Sequence, residues 1–475
     1  MNIRWFVSLA IFLCLTKTAL GESLPHYGKN FQGTLPGKPK LHSNHVRRPE
    51  NLVVLDLVGS ALYNLKGDQV VASMAASNVE YENNNQKAFV PLRDNLRDHD
   101  GKLLRPETVA IALQGLSKKL GNPLNTAKKI EWNPSRKAIE FDFSWPVANL
   151  AKRLSMPEAA LWGGVHESLK GRRLGAFLGR SLGNGVTNGA WIFDGNKIHY
   201  DGVPFLDQIT LVWNTNIGVE AKQFERGYTQ MSRFGQKEHA IGKVKYKFKT
   251  RNMKDPSTIF LRVKNPTSER EHNAILEALS RILGRKKFNT AGSYGILKTE
   301  TLFERLKGFS KRRSKRLRGL HQRRKQTKDA IKKIIGERTL LFTYRPSKPI
   351  HERLLQKITF LLHQEGVASK MMPDSDDERR SGEGFLVVEM DEWVFDTSSP
   401  ELLLRQLISA GLSEGKETRP YSLKRLKARY ASSLPILPLV DFYPKFVFRS
   451  DVEGVNDGCS TCFSSMYFYK RPKFN

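Results

Sequence analysis

Apolar residues in this chain arrive in short runs broken by polar turns, and these runs alternate with stretches of helical period. Leu52–Leu55, Val70-Val71, Ala88–Val90, Ile139–Phe143, Ile209–Trp213, Leu340–Phe342 and Phe385–Val388 read as strands. The strand at Phe385 is expected to end at Glu389, where charge begins. Pro106–Leu116, Val219–Arg226, Asn273–Leu283 and Glu352–Leu362 read as helices, the first opened by Pro106-Glu107 and the second closed by Gly227. Residues 22–50 show no clear period and read as an extended leader, and the Gly- and Asn-rich stretch 181–202 reads as loop. Strands and helices interleaved with several crossovers make an α/β architecture rather than an all-α or all-β one. The 475 residues, 39% of them hydrophobic, suffice for two or three domains with cores of their own.

The N-terminus carries Arg4, an apolar run from Trp5 to Leu15, and the small-x-small pair Ala19 and Gly21. That order is the one an export signal uses, so residues 1–21 are expected to be a signal peptide cleaved before Glu22, and the protein to be periplasmic or secreted. No later stretch is long and apolar enough to span a bilayer. The net charge of +31 favours weak contact with anionic lipids, polysaccharide or nucleic acid; a general basic bias of the source proteome would look the same. Thirteen of these basic residues lie between Lys307 and Lys333 with one acid, Asp329, either a grip for an anionic membrane surface or a solvated face. Only Phe309 and His321 could stack on a base there, so no specific nucleic-acid role is expected.

Signals for catalysis are weak. Gly179-Arg180-Ser181-Leu182-Gly183 fits Gly-x-Ser-x-Gly, but Asn184-Gly185 follows where a nucleophile elbow needs a helix. The histidines are scattered without metal-ligand spacing, and the acidic run at Asp374, Asp376, Asp377 and Glu378 lies in a polar turn. Neither an enzyme nor a metal or other cofactor is expected. Loss of Cys14 with the signal would leave Cys459 and Cys462 as a CxxC, expected to form a disulfide in an oxidising compartment; a redox motif would need a βαβ unit, and a zinc site two more ligands.

The order of several motifs resembles the extracellular solute-binding proteins of the oligopeptide, dipeptide and nickel ABC-importer type, solute-binding protein family 5. Asp100-Gly101 followed by Glu107-Thr108-Val109 is similar to that family's turn and helix start. Gly202-Val203-Pro204-Phe205-Leu206-Asp207-Gln208-Ile209 resembles its Gly-x-Pro-x-Leu-Asp-x-Ile strand, while Gly189-Ala190-Trp191 stands near where it usually has Gly-Pro-Tyr. Asn273–Leu283 sits at the place of its Ala-containing helix. Trp393, Asp396, Pro400 and Leu404 match in register, with Thr397 in place of a Tyr, and Leu434-Pro435 to Pro438-Leu439 resembles its return strand.

The resemblance implies a two-lobed periplasmic-binding-protein fold, type II-like, with a subdomain inserted in the first lobe. Lobe I would comprise 22–60, 150–245 and 436–475, the inserted subdomain 61–149, and lobe II 246–435. It also implies capture of a peptide or similar solute in an interlobe cleft by a monomer, and delivery to a permease with its ATPase. A secreted protein that uses its charge to bind anionic polymers or membranes on the same fold is the alternative. Asp396, Trp393, Thr397 and Trp191 are the candidate ligand-binding residues, with Asp396 placed to pair with an α-amino group. Asp396 is equally suited to cap the helix that Pro400 starts.

A thiol count checks the cysteine reading. The exported protein, unfolded without reductant, is expected to show no free thiol; two would refute the Cys459–Cys462 bond.

Overall fold

The computed structural model describes residues 28–35, 37–41, 47–66, 69–118, 122–163, 169, 174–182, 188–214, 217–232, 248–252, 257–264, 266–283, 333–346, 348–374, 384–396, 400–411, 424, 435–442, 445–454 and 467–468. The signal segment, the basic run up to residue 332, Thr397 and both C-terminal cysteines lie outside them.

The first body is built on a sheet ordered Asn30–Thr34, Gln208–Asn214, Asn188–Gly195, Phe177–Leu182; the first pair is parallel and the others antiparallel. Helix Pro49–Val58 packs on it, bringing Leu52, Val53, Leu55 and Leu57 against Phe177 and Phe193. The sequence reading took Leu52–Leu55 for a strand. Pro49 at the first helical position and Glu50 in the first turn start a helix instead, and eight of its ten residues are buried, so no polar face marks its period.

A second correction concerns the glycine-rich stretch. Of its described residues, 181–182 and 188–195 belong to two paired strands, Phe177–Leu182 and Asn188–Gly195, with aromatic rings over their glycines. A Cβ on Gly179 would stand 3.0 Å from the Phe193 ring, and one on Gly189 would stand 2.3 Å from the Trp213 indole, its cross-strand partner. Ser181 therefore belongs to a strand, paired with Trp191.

A subdomain with its own core carries an antiparallel sheet ordered Glu80–Glu82, Lys87–Pro91, Ala138–Phe143, Ala127–Asn133. Its first hairpin turns on Asn83, Asn84 and Asn85, all at positive φ, a conformation asparagine tolerates better than most residues. Helix Pro106–Ser117 lays Val109, Leu113 and Leu116 in this core, as do Leu150, Leu154 and Leu161 further along the chain.

The other lobe is a five-stranded sheet ordered Ser369–Pro373, Thr339–Tyr344, Phe385–Val394, Ser257–Val263, Leu437–Phe442. Its first three strands are parallel; the last two run antiparallel to their neighbours. Helices Glu269–Leu283 and Pro349–Gln364 cover one face, with Leu276, Leu279, Leu355 and Ile358 packed on Leu261, Phe342 and Val388. Helix Pro400–Gly411 covers part of the other, where Leu403, Leu404 and Leu407 meet Phe260, Trp393 and Phe395.

Two strand pairs flank the passages of the chain between lobes. Phe248–Asn252 pairs with Lys445–Arg449 beside the first lobe, and Ser257–Val263 pairs with Leu437–Phe442 in the second. The chain thus passes from one lobe to the other between 252 and 257 and returns between 442 and 445.

Gly189→Ala tests how the first lobe tolerates its glycines. A methyl forced against a fully buried indole is expected to cost about 1–3 kcal/mol, read as a lower urea midpoint at unchanged slope.

Candidate functional site

The carboxyl ends of the three parallel strands of the second lobe point toward the first lobe, the end at which open α/β sheets bind ligands. Arg345 follows one of these strands directly, Asp374 another, and Asp396 lies two residues past the third. The third strand, Phe385–Val394, alternates. Leu386, Val388 and Met390 enter the core and Glu392 continues that face, while Glu389, Asp391 and Trp393 take the other.

The strand outlasts its expected end at Glu389 by five residues because cations meet its acids. Arg48 grips Asp391 with two nitrogens, Nε at 3.0 Å from Oδ1 and Nη2 at 2.9 Å from Oδ2, and its Nη2 reaches Glu389 at 3.2 Å. Arg262 donates Nε and Nη2 to Glu389 at 3.0 and 2.7 Å. Arg345 donates to both Glu50 and Asp391. Lys348 donates to Glu392 and stands 3.5 Å from Glu50. The Trp393 indole donates to Asp391 Oδ2 at 3.1 Å, and Ser257 donates to Glu392 at 2.6 Å.

Among the described residues, four cations (Arg48, Arg262, Arg345, Lys348) thus face four carboxylates (Glu50, Glu389, Asp391, Glu392), all close to fully buried. Arg48 and Glu50 belong to the first lobe and the others to the second. Burial pushes the Glu50 and Glu392 carboxyls up, but the guanidinium of Arg345 and the ammonium of Lys348 outweigh it and hold both below the usual range. His351, fully buried with Nε2 at 3.6 Å from Glu392, is held down to about 4 by burial and by the nearby Lys348 and Arg345, against the pull of Glu392.

A second ionic layer lies beside the first. Arg47 pairs with Glu158, which also accepts from Gln406 at 3.1 Å. Arg153 and Arg405 share Glu401 at 3.0 and 2.9 Å. Arg47 and Val394 also meet directly, the Val394 N–H donating to the Arg47 carbonyl at 2.9 Å.

Asp396 is half-buried just beyond the strand, its backbone N–H donating to Gln406 Oε1 at 2.9 Å. Trp393 is only 1% exposed, edge-on to Phe260 with ring centroids 6.0 Å apart. Trp191 belongs to the other lobe, half-buried on the sheet beside Phe193. Among the described residues, no three His, Cys, Asp or Glu side chains converge as a metal site.

Sequence reasoning missed the ion cluster. Its trace is nonetheless written twice: in Arg47-Arg48 before the helix-opening Pro49-Glu50, and in acids set between Val388, Met390 and Trp393, an unusual place for solvated charge.

No family model matches the chain, and no curated protein matches it. Solved structures match over almost its whole length. The binding protein DppA from Helicobacter pylori, in complex with a peptide, aligns at TM-score 0.69 and 14% identity, covering 94% of this chain and 99% of that one. The oligopeptide-binding protein AppA from Bacillus subtilis, holding a nonapeptide, aligns at 0.67 and 13%, covering 94% and 100%. NikA from Staphylococcus aureus, with a nickel–histidine complex, aligns at 0.65 and 12%, covering 93% and 100%. The two-lobed α/β fold expected from the sequence is the fold of these structures.

The cluster predicts an acid-sensitive fold. The unfolded chain protonates His351 near its ordinary 6.5 and the folded one near about 4, so the unfolded state binds more protons between them. Stability present above pH 6.5 is lost as pH falls toward 4, by roughly 1–3 kcal/mol. Glu392, with its lowered value, adds a further loss below the ordinary carboxylate range. Urea unfolding of His351→Gln across this range is expected to show a flatter slope than the parent; an identical slope would remove His351 from the account.

Proposed function

We propose that this chain is an exported solute-binding protein that captures a peptide or similar small solute between its lobes and hands it to an ABC importer, a permease pair with its ATPase. One observation carries the reading. A two-lobed frame matches, over 94% of the chain, solved binding proteins that hold peptides. Hinge closure around a solute gives an importer a form distinct from the empty one, and capture of this kind breaks no bond and calls for no catalytic residue or cofactor. Residues 1–21 serve in this reading as the export signal, and the division into lobes follows the sequence reading except that Phe248–Asn252 pairs beside the first lobe and Leu437–Phe442 joins the sheet of the second.

Asp396 is the candidate partner for the solute's amine. It lies at the carboxyl end of a strand, on the side that faces the first lobe, with Thr397 beside it and Trp191 on the opposite lobe. Trp393 acts in this reading through Asp391, which its indole holds. Mass spectrometry of solute released from natively purified protein tests the function directly. A peptide or small solute at near one per chain is expected, and protein that carries none and binds none from a peptide library would refute the reading.

Asp396→Asn is expected to weaken binding of an amine-bearing solute by about 1.5–3 kcal/mol, the worth of a hydrogen bond to a charged group, with little change in melting temperature. If Asp396 only caps the following helix, Asp396→Ala lowers stability by about 1 kcal/mol and leaves affinity alone. Titration calorimetry beside a melt of each variant separates the two.

A further inference from the structure

The two passages between lobes are flanked by separate strand pairs, Phe248–Asn252 with Lys445–Arg449 and Ser257–Val263 with Leu437–Phe442, and two such links by themselves permit twist and sideways swing as well as opening. A third connection lies close to them. Val394 pairs with Ser257, the first described residue of the incoming strand in the second lobe, and its N–H donates to the Arg47 carbonyl of the first. Asp391 lies three residues further back, ~10 Å along the strand, and there Arg48 holds it with two nitrogens. The side chains of Arg48 and Asp391 are 3% and 0% exposed.

Parting the lobes here would take from Arg48 both its carboxylate partners, Asp391 and Glu389, and leave a buried guanidinium unpaired, a strongly unfavourable change. Sliding along the Arg48–Asp391 pair would break a bidentate geometry that fixes angle as well as distance. Opening that leaves the contact intact must therefore turn about a line through it. The strand pairs that flank the crossings mark the other point on that line.

We propose that the Arg48–Asp391 pair, with the Arg47–Val394 backbone contact beside it, is a second pivot that confines the lobes to rotation about one axis and stays closed throughout solute capture and release. It positions the lobes and does not touch solute. The inference rests on the two-lobed frame and needs no solute for its test, so it stands or falls apart from the proposed function.

Amide hydrogen exchange of the full chain, stripped of bound solute, reads the contact directly. The Val394 N–H is expected to exchange within about tenfold of the core amides of Leu386 and Val388. Exchange a hundredfold or more faster would mean that the contact opens in the empty protein, making it a latch of the closed form and overturning the proposal.

A second measurement uses Arg48→Met with Asp391→Leu. This double change keeps charge balance, since Arg262, Arg345 and Lys348 still face Glu50, Glu389 and Glu392. Nitroxides at exposed Tyr228 and Phe360, one on each lobe, report the interlobe distance. The distribution is expected to widen at least twofold in the double variant. An unchanged width in a variant that melts cooperatively would show the pair to be structural only, and the proposal would fail. If the double variant does not fold, the exchange result decides.

Discussion

Asp391 has no exposed surface, and it lies in the middle strand of the second lobe's sheet. A carboxylate in that position is tolerable only with its oxygens filled by donors. The donors come from three directions: Arg48 from the first lobe, Arg345 from the end of the adjacent strand, and Trp393 from its own strand. Each donor thereby acquires a fixed place. A buried ionic cluster of this kind is weak support for stability, since apolar residues of equal size serve as well or better. Its contribution here is orientation. An apolar contact between Arg48's helix and the second lobe would hold the two together at a range of angles, whereas a two-nitrogen grip on one carboxylate allows few.

Orientation then decides what the interlobe surface offers a solute. The charges of the first ionic layer are matched among themselves, cation against carboxylate, and each is already shared with a neighbour. Groups so engaged have little left to give a ligand. In the proposed reading recognition falls to Asp396, just past the strand, which is half-buried with its backbone tied to Gln406 of the following helix. The same Gln406 reaches Glu158 of the first lobe. Asp396 is thus anchored on the side where the lobes meet.

Much of this frame is legible in the residues, and the illegible parts share one cause. Alternation shows the strands at Ile139–Phe143 and Ile209–Trp213, because one side of each differs chemically from the other. It fails at Leu52–Leu55, where a helix is buried nearly all round and looks like a strand. It fails again at Glu389–Glu392, where charges that look like a turn are buried because Arg48, Arg262 and Lys348 arrive from elsewhere in the sequence. It fails in the glycine-rich strands, whose missing side chains are replaced by Phe193 and Trp213 from partner strands. In each case the deciding neighbour is distant in the chain. The place of Asp396 between a strand and a helix is legible because its marks, an apolar strand before it and a helix-starting proline after it, are local.

The register of the central strand links these parts. Side chains alternate, so Asp391 and Trp393 share a face while Met390 and Glu392 share the other. A slip of one residue would turn Asp391 into the apolar core beside Leu355 and Val388 and aim Met390 at Arg48. Both ends of that exchange are unfavourable: a carboxylate among hydrocarbon and a guanidinium with its main partner gone. The penalty pins the strand with no help from turn geometry. Asp391, held against the first lobe, and Asp396, the residue proposed to meet solute, are therefore joined by five residues of one backbone, so that a position set at the first carries to the second.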